Sequence, residues 1–170
     1  MVPGPGARAV IPGRRAALSC RYLDGVAHLH ALGVLIILTR DEEVLLTLHK
    51  GTGQWSVPSG PLVGDENVLD AAVREAREKV DVQLTAEELE FVGVIHRRHG
   101  PERANMAFVF HALNVPELQG EPVNADPERC AEIRWFPMEE PPEKASPNTV
   151  RGLELLDSGE SLSVADWEER

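Results

Sequence analysis

Residues 60–82 read GPLVGDENVLDAAVREAREKVDV, and this stretch determines which fold the sequence specifies. A glycine-containing loop leads into a segment whose apolar residues recur at helical spacing, with charged residues between them. We predict a helix over residues 66–80 with Asp65 at the N-cap position. Glu66 would then lie near the positive end of the helix dipole, where a carboxylate is stabilising.

Charged residues in the middle of this helix indicate a candidate cation site. Residues three apart on a helix lie on one face, so the carboxylates of Glu75 and Glu78 can reach a common point. Such a pair suits a hard cation such as Mg²⁺, which also takes phosphate oxygens of a substrate as ligands. Arg74 precedes Glu78 by four residues and is placed to orient that carboxylate. From these residues alone, a solvated helix face with salt bridges is the simpler alternative.

The spacing of these residues resembles the Nudix box, Gly-x5-Glu-x7-Arg-Glu-U-x-Glu-Glu-x-Gly-U, where U is a bulky apolar residue. The positions that match in register are Gly60, Glu66, Arg74, Glu75, Glu78 and Val82. Residues 55–60, WSVPSG, look like the family's Trp-x-x-Pro-Gly-Gly, and residues 133–138, IRWFPM, resemble a late strand of the family. The resemblance covers roughly residues 28–158, which is most of the chain.

The resemblance implies an α+β fold, the Nudix fold, in which a mixed β-sheet lies between helices as an α/β/α sandwich. It also implies a Mg²⁺- or Mn²⁺-dependent pyrophosphohydrolase, in which the metal bridges a diphosphate and water attacks phosphorus. The substrate would be a small molecule in which a nucleoside diphosphate is linked to another group, such as a nucleotide or a nucleotide sugar. Carried over residue by residue, the pattern makes Glu75, Glu78 and the Gly60 carbonyl the metal ligands, and it makes Arg74 the residue that orients them.

Three residues depart from the box. Lys79 stands at the second glutamate of the Glu-Glu pair, Asp81 at the glycine and Ala76 at a bulky apolar position. Asp81 tolerates a left-handed backbone better than most residues, and Ala76 costs only packing. Lys79 matters more, because the pattern implies that residues 75 and 79 hold the central metal together, whereas an ammonium repels a cation. We expect Lys79 to pair with Glu75 along the helix and metal affinity to fall. A catalytically impaired nucleotide-binding or regulatory module is therefore the alternative function.

Further candidate residues lie outside the box. Residues 120–130, GEPVNADPERC, look like a loop of one Nudix branch, and this likeness makes Asp126 a candidate general base or additional metal ligand. The candidate substrate-binding residues are Trp55, His28, His96 and Arg98. Each has a structural alternative: packing of a loop for Trp55, a structural strand position for His28, and a polar strand end for His96 and Arg98.

The remaining pattern predicts strands around the box helix and a closing helix. Apolar residues at 28–39 and 44–49 flank a polar turn and predict a hairpin. The other predicted elements are strands at 89–96, 107–113 and 132–136 and a helix at 147–156 that begins with Pro147. We divide the chain into an irregular leader at 1–24, the Nudix domain at 25–160 and a tail at 161–170.

The composition restricts the partners of this domain. The 170 residues include 28 acidic and 17 basic side chains, and the net charge of −11 disfavours nucleic acid and anionic membranes as partners. It does not disfavour a small phosphate ligand, because carboxylates can hold a cation that in turn holds the phosphate. Cys20 and Cys130 lack metal-binding spacing, and the apolar stretches are too short for a signal peptide or a membrane span, which predicts a cytoplasmic protein. A homodimer is a further expectation, since many members of the family dimerise.

Overall fold

The computed structural model describes residues 29–100, 103–115 and 120–167. Within these ranges the chain forms eight strands, two α-helices and a short 3₁₀ helix at Ala86–Glu88. The strands are β1 (Leu29–Arg40), β2 (Glu43–His49), β3 (Trp55–Ser56), β4 (Ser59–Pro61), β5 (Glu90–Arg98), β6 (Arg103–Ala112), β7 (Cys130–Pro137) and β8 (Leu162–Ala165). The helices are α1 (Val68–Val80) and α2 (Pro147–Ser158). Neither helix is long and apolar enough to cross a membrane.

The strands form one mixed sheet in the order β3-β2-β1-β6-β5-β8, while β4 pairs with β1 and β7 pairs with β2. The parallel pairs are β1 with β6, which runs from Leu29↔Arg103 to Leu38↔Ala112, and β5 with β8. The other neighbouring strands are antiparallel. Strand β1 is therefore the centre of the sheet, and the strands and helices that hold the candidate residues are arranged around it.

Helices cover both faces of the sheet, which explains the continuous apolar run in β1. Val34, Ile36 and Leu38 pack with α1 residues in one buried cluster. Leu35 and Ile37 pack with α2 residues in a second cluster on the opposite face. Strands that are buried on both faces are continuously apolar rather than alternating. The predicted α/β/α sandwich around a mixed sheet is confirmed.

The box helix begins two residues later than the sequence predicts. Asn67, rather than Asp65, is its N-cap: the Asn67 side chain accepts hydrogen bonds from the backbone N–H groups of Leu69 and Asp70 at 2.9 and 3.0 Å. The prediction of Asp65 was wrong because an asparagine two positions later satisfies the free N–H groups of the first turn equally well. At the other end, Asp81 adopts a left-handed conformation with φ 55°, as expected.

The segment that the sequence assigned to a C-terminal tail adds an edge strand to the sheet. Strand β8 lies beside β5, with Leu162 opposite Val94 and Ala165 opposite Arg97. The Arg97 guanidinium forms an ion pair with Asp166 just after the strand, which fixes its end. The other predicted strands and α2 are present, and their ends differ from the prediction by a few residues.

Candidate active site

Arg74, in the middle of the box helix, is the centre of a carboxylate cluster. Its Nε and Nη2 donate to the two carboxylate oxygens of Glu66 at 3.0 and 2.7 Å. Its Nη1 donates to Glu75 Oε1 at 2.7 Å and to Glu78 Oε2 at 3.2 Å. Nη2 also donates its second hydrogen to the Pro61 carbonyl oxygen, at 3.0 Å. Since a guanidinium carries five N–H donors, these contacts use all of them, and Arg74 orients the three carboxylates.

Glu66 ties the loop before the helix to this cluster. It also accepts a hydrogen bond from the Val63 backbone N–H at 2.7 Å. The hydrogen bonds from Arg74 lower the pKa of Glu66, so this carboxylate is ionised. With both of its oxygens engaged by Arg74, Glu66 serves to position the loop and the arginine. The sequence predicted instead that Glu66 acts on the helix dipole.

Glu75 is a buried carboxylate, and one of its two oxygens accepts no hydrogen bond from the described residues. The residue is 3% exposed, and Oε1 is held by Arg74. Its Oε2 is buried and has no hydrogen-bond partner in the described part of the chain. Burial raises the pKa of Glu75, an effect that the Arg74 hydrogen bond opposes. The backbone of Gly60 lies directly against this carboxylate, and a Cβ at that position would overlap its oxygens.

These residues fit one hard cation. Glu75 offers an oxygen without a partner, Glu78 offers a half-exposed carboxylate on the same helix face, and the Gly60 backbone is adjacent. A charged oxygen buried without a partner is costly, and a bound cation would remove that cost. Among the residues that the structure describes, no group of three or more His, Cys, Asp or Glu side chains is arranged to hold a metal. The site therefore relies on two carboxylates, with the remaining ligands to come from backbone, water or substrate.

Lys79 pairs with Asp126, whereas the sequence predicted Glu75 as its partner. Lys79 Nζ donates to Asp126 Oδ2 at 2.5 Å. Glu75 pairs instead with Arg74, its neighbour in the chain. The expectation failed because a residue 47 positions away in the sequence is brought to the helix by the fold. The hydrogen bond from Lys79 lowers the pKa of Asp126, which makes this carboxylate a weaker proton acceptor.

These side chains border a cleft of about 590 Å³ between α1 and the loop before β7. Arg74, Glu75, Glu78 and Lys79 lie on the helix side, Asp126 and Arg129 on the loop side. A second cavity of about 740 Å³ lies beside α2, and the described residues that border it include Glu42, Glu139, Glu154 and Asp157 but no cationic side chain. Of these two cavities, the smaller cleft suits a phosphate ligand better, because among the described residues it has cationic side chains and a candidate metal site.

The predicted substrate-binding residues separate into two places. Trp55 lies away from the cleft, with its ring edge-on against Phe136 at 4.8 Å and its backbone N–H bonded to Lys144 O. This agrees with the packing alternative for Trp55. His28 lies outside the described residues. His96 and Arg98 lie together at the end of β5, on a different part of the sheet from Trp55.

His96 and Arg98 belong to an aromatic patch, which we define as His30, His96, Arg98 and Trp167. The His96 ring lies 5.1 Å from the His30 ring and 4.7 Å from the Trp167 ring, and the Arg98 guanidinium lies 5.4 Å from the Trp167 ring. Trp167 remains 40% exposed. Sequence reasoning missed this tryptophan because the only signal was the short alternation of residues 162–165, which was read as tail.

Strand register places the patch on the α1 face of the sheet. His96 is the patch residue that shows this. It lies in a row across the sheet in which Leu32 is opposite Met106, Met106 is opposite His96, and His96 is opposite Val164. Helix α1 covers β1 further along, whereas Leu32 and Val164 are 44% and 56% exposed. Pro61, on the edge of the cleft, pairs with Gly33, the residue that follows Leu32 in β1. The cleft and the patch are therefore on one side of the sheet, and Pro61 on β4 and His96 on β5 are roughly 14 Å apart at three strand spacings.

Comparisons with known proteins can be set against this geometry. The family model "NUDIX domain" matches residues 29–156. A nucleoside triphosphate pyrophosphatase/Nudix hydrolase fusion protein of Bifidobacterium longum is 30% identical over 92 residues, 54% of this chain and 18% of that protein. The NAD-capped RNA hydrolase NudC of Pseudomonas putida is 30% identical over 123 residues, 71% of this chain and 41% of that protein. The chain thus spans less than half the length of both relatives.

Solved structures give the same fold. The crystal structure of a MutT NUDIX hydrolase from Burkholderia pseudomallei aligns with a TM-score of 0.66 at 25% identity, over 75% of this chain and 98% of that one. The match of the family model covers most of the described chain, including the box helix and the strands around it. The chain belongs to the Nudix family.

Proposed function

We propose that the chain is a pyrophosphohydrolase that uses Mg²⁺ or Mn²⁺ and acts on a small molecule containing a nucleoside diphosphate linked to another group. In this reaction water attacks one phosphorus, the bridging P–O bond breaks, and a nucleoside monophosphate and a phosphorylated second group are released. The observation that carries the proposal is the Glu75 carboxylate. It is buried beside the cleft, oriented by Arg74 and bordered by Gly60, and one of its oxygens has no partner among the described residues.

Each residue of the cluster has a distinct task in this proposal. Glu75, Glu78 and the Gly60 carbonyl hold the cation, which when bound neutralises charge on the diphosphate and makes a water molecule more acidic. Arg74 is a positioning residue, because its N–H donors are all used by carboxylates and the Pro61 carbonyl. Asp126 holds Lys79, and its lowered pKa disfavours it as the proton acceptor. Glu78 has a side chain that is 50% exposed at the cleft, and it can accept a proton from water through a carboxylate oxygen that does not bind the cation.

We assign the nucleoside end of the substrate to the aromatic patch. Trp167 and His30 are exposed there, and the Arg98 guanidinium lies over the Trp167 ring. Aromatic rings and guanidinium planes bind bases by stacking, which tolerates different bases. The patch lies on the same side of the sheet as the cleft. A ligand with a diphosphate and a planar base can therefore extend from one to the other.

A catalytically impaired binding module is the second candidate, and the Lys79–Asp126 pair favours it. The pair places a positive charge beside the candidate cation site and engages a third carboxylate of the cleft. A cation would then bind more weakly, because it has fewer carboxylate ligands and a nearby ammonium. This candidate predicts nucleotide binding without turnover.

A turnover screen tests the two candidates. The native protein, Glu75→Gln and Lys79→Glu would each be given nucleoside triphosphates, ADP-ribose, dinucleotides and sugar nucleotides with Mg²⁺ and then Mn²⁺, with products separated by chromatography. We expect the native protein to cleave at least one compound at its diphosphate. Glu75→Gln should lower kcat/KM by roughly 100-fold or more, beyond the 10- to 100-fold loss typical of residues that only orient metal ligands.

The outcomes separate the candidates. Turnover by the native protein that Glu75→Gln abolishes supports hydrolysis at this site. No turnover with any compound and either metal, together with measurable nucleotide binding, would favour the binding module. Activity that appears only in Lys79→Glu would show that the cleft is intact and that Lys79 suppresses hydrolysis.

A further inference from the structure

A fixed ammonium group lies in the candidate active-site cleft. Lys79 is one helical turn after Glu75 on α1, and both residues border the cleft. The Lys79 and Asp126 side chains are 21% and 17% exposed, and their ion pair bridges the helix and the loop on the other side of the cleft. An exposed lysine on a helix samples many rotamers, whereas this one is held in place by a carboxylate. The ammonium is therefore a defined feature of the cleft.

The backbone of the loop fixes the position of Asp126. Ala125 N–H donates to the Lys79 carbonyl and Val123 N–H to the Val80 carbonyl, both at 3.1 Å. These bonds satisfy carbonyl groups in the last turn of α1, which lack partners within the helix. The Asp126 carbonyl in turn accepts a hydrogen bond from the backbone N–H of Cys130 at 2.8 Å. The loop is thereby attached to α1 independently of the ion pair between Lys79 and Asp126.

The charges around the cleft leave a task for this ammonium. The carboxylates that border the cleft are Glu75, Glu78 and Asp126. One divalent cation balances Glu75 and Glu78, and Lys79 balances Asp126. Of the two arginines that border the cleft, Arg74 is occupied by carboxylates, and Arg129 is a further positive side chain. A diphosphate adds at least two further negative charges, which need hydrogen-bond donors and positive side chains nearby. An ammonium has three N–H donors, and the structure gives one of those of Lys79 to Asp126. Two donors therefore remain for phosphate oxygens.

We propose that Lys79 is a phosphate-binding residue whose ammonium, positioned by Asp126, contacts the diphosphate beside a single divalent cation held by Glu75 and Glu78. The inference rests on the proposed function, because it needs a diphosphate in this cleft. This role of Lys79 in binding phosphate is distinct from a structural role in its ion pair with Asp126. It also limits the cleft to one divalent cation per chain, since its third carboxylate is engaged by Lys79.

Two variants of the same ion pair distinguish this role from a structural one. Lys79→Gln and Asp126→Asn both remove the ion pair, but they change the charge of the cleft in opposite directions. The probe is methylenediphosphonate, a diphosphate analogue that is not hydrolysed, titrated by calorimetry in the presence of Mn²⁺. Lys79→Gln should weaken its binding roughly 10- to 100-fold, the value of a lost hydrogen bond to a charged group. Asp126→Asn should bind at least as tightly as the native protein, because the asparagine amide oxygen can still accept a hydrogen bond from the Lys79 ammonium and hold it in place, while a negative charge beside the diphosphate is removed.

Two further variants complete the experiment. Arg77→Gln removes a positive charge from the exposed side of the same helix and should leave the affinity unchanged. Lys79→Arg keeps a cation and should retain affinity within about 10-fold of native, which guards against a Lys79→Gln protein that fails to fold. Equal losses in Lys79→Gln and Asp126→Asn would show that the pair is only a structural link and would overturn the inference.

Counting the bound metal gives a second, independent readout. Electron paramagnetic resonance should find one Mn²⁺ per native chain with methylenediphosphonate present, and two or more would overturn the inference. Tight diphosphonate binding that is the same in native protein and Lys79→Gln would contradict this inference alone. If the native protein binds no diphosphonate with Mn²⁺, the proposed function fails and the inference fails with it.

Discussion

Gly60 is the residue whose replacement most directly tests the candidate metal site. A Cβ at this position would overlap the Glu75 carboxylate, which cannot move away easily because Arg74 holds it and the protein buries it. Gly60→Ala should displace that carboxylate and cost about 1–3 kcal/mol of stability through overpacking. We expect Mn²⁺ affinity to fall by roughly 10-fold or more. Mn²⁺ titration and denaturant unfolding measure the two effects.

A second glycine provides the control for this substitution. Gly152 lies in α2, where a Cβ would meet Val109 at 3.6 Å and Ile37 at 3.7 Å, which are ordinary packing distances. Gly152→Ala should raise stability by about 0.5–1 kcal/mol, because alanine loses less backbone entropy in a helix. Its Mn²⁺ affinity should equal that of the native protein. A similar loss of Mn²⁺ affinity in both variants would argue against a specific contact between residue 60 and Glu75.

The ion pair between Glu66 and Arg74 makes the stability of the folded protein depend on pH. Arg74 lowers the pKa of Glu66 in the folded protein. A carboxylate with a lowered folded pKa contributes stability above its unfolded pKa and loses that contribution as the pH falls through the folded pKa. Glu66→Gln should therefore melt below the native protein at pH 7, and the difference in Tm should shrink as the pH falls below about 4.3. Melting curves from pH 7 to pH 3 measure this difference, with Glu87→Gln, an exposed carboxylate, as control. A difference that stays constant with pH would contradict the ion-pair explanation.

At the level of elements, Asn67 and Asp65 can be compared as N-caps of α1. Asn67 accepts hydrogen bonds from two backbone N–H groups, whereas Asp65 is exposed and lies before the helix. Asn67→Ala should lower the free energy of unfolding by about 1 kcal/mol. Asp65→Ala should change it by less than about 0.5 kcal/mol, as is usual for exposed positions without special contacts. Denaturant unfolding of the two variants measures both values, and the reverse order would restore the cap predicted from sequence.

Elements also show why part of the site could be predicted from sequence. Glu78 follows Glu75 by three residues and Arg74 by four, and local spacing alone brings side chains so placed on a helix together. The same locality made the match to the Nudix box informative. Glu66 is different: it joins the cluster only because the loop before α1 folds back toward Arg74. Helical periodicity does not describe such a loop, so Glu66 was predicted from sequence to act at the helix dipole instead.

At the scale of the whole molecule, long-range pairing limited what the sequence could predict. The sandwich architecture followed from alternating runs of strand and helix patterns and from the family resemblance. The partner of Lys79 did not, because Asp126 reaches it only after the loop docks on the end of α1. The aromatic patch likewise depends on β8 lying beside β5, which brings Trp167 to His96 across 71 positions of sequence. Strand order and register are properties of the assembled sheet, and a four-residue edge strand leaves little trace in the sequence.

The arrangement of the whole sheet predicts that the cleft binds the diphosphate of the substrate and the aromatic patch binds its base. The cleft and the aromatic patch lie on one side of the sheet: Pro61 of β4 borders the cleft, His96 and Arg98 of the patch are on β5, and β1 and β6 lie between these two strands. Trp167→Ala should therefore weaken binding of α,β-methylene-ADP, which has a base, by about 5- to 100-fold, the range expected for loss of one base-stacking contact. Binding of methylenediphosphonate, which has no base, should be unchanged. Calorimetric titration of both compounds with Mn²⁺ measures the two affinities.

A matched aromatic variant shows whether this effect belongs to the patch. Phe91 is 53% exposed at the other end of β5, where its ring contacts Phe110 and lies away from the patch. Phe91→Ala removes comparable apolar surface and should change neither affinity. If Trp167→Ala weakens both compounds equally, Trp167 acts through the stability of the sheet edge. If it weakens neither, the nucleoside binds elsewhere, and the exposure of Leu32 and Val164 at the two ends of the row needs another explanation. Selective loss of the nucleotide would show that opposite parts of one sheet bind the two ends of the substrate, which explains how a chain with so few aromatic residues can recognise a base.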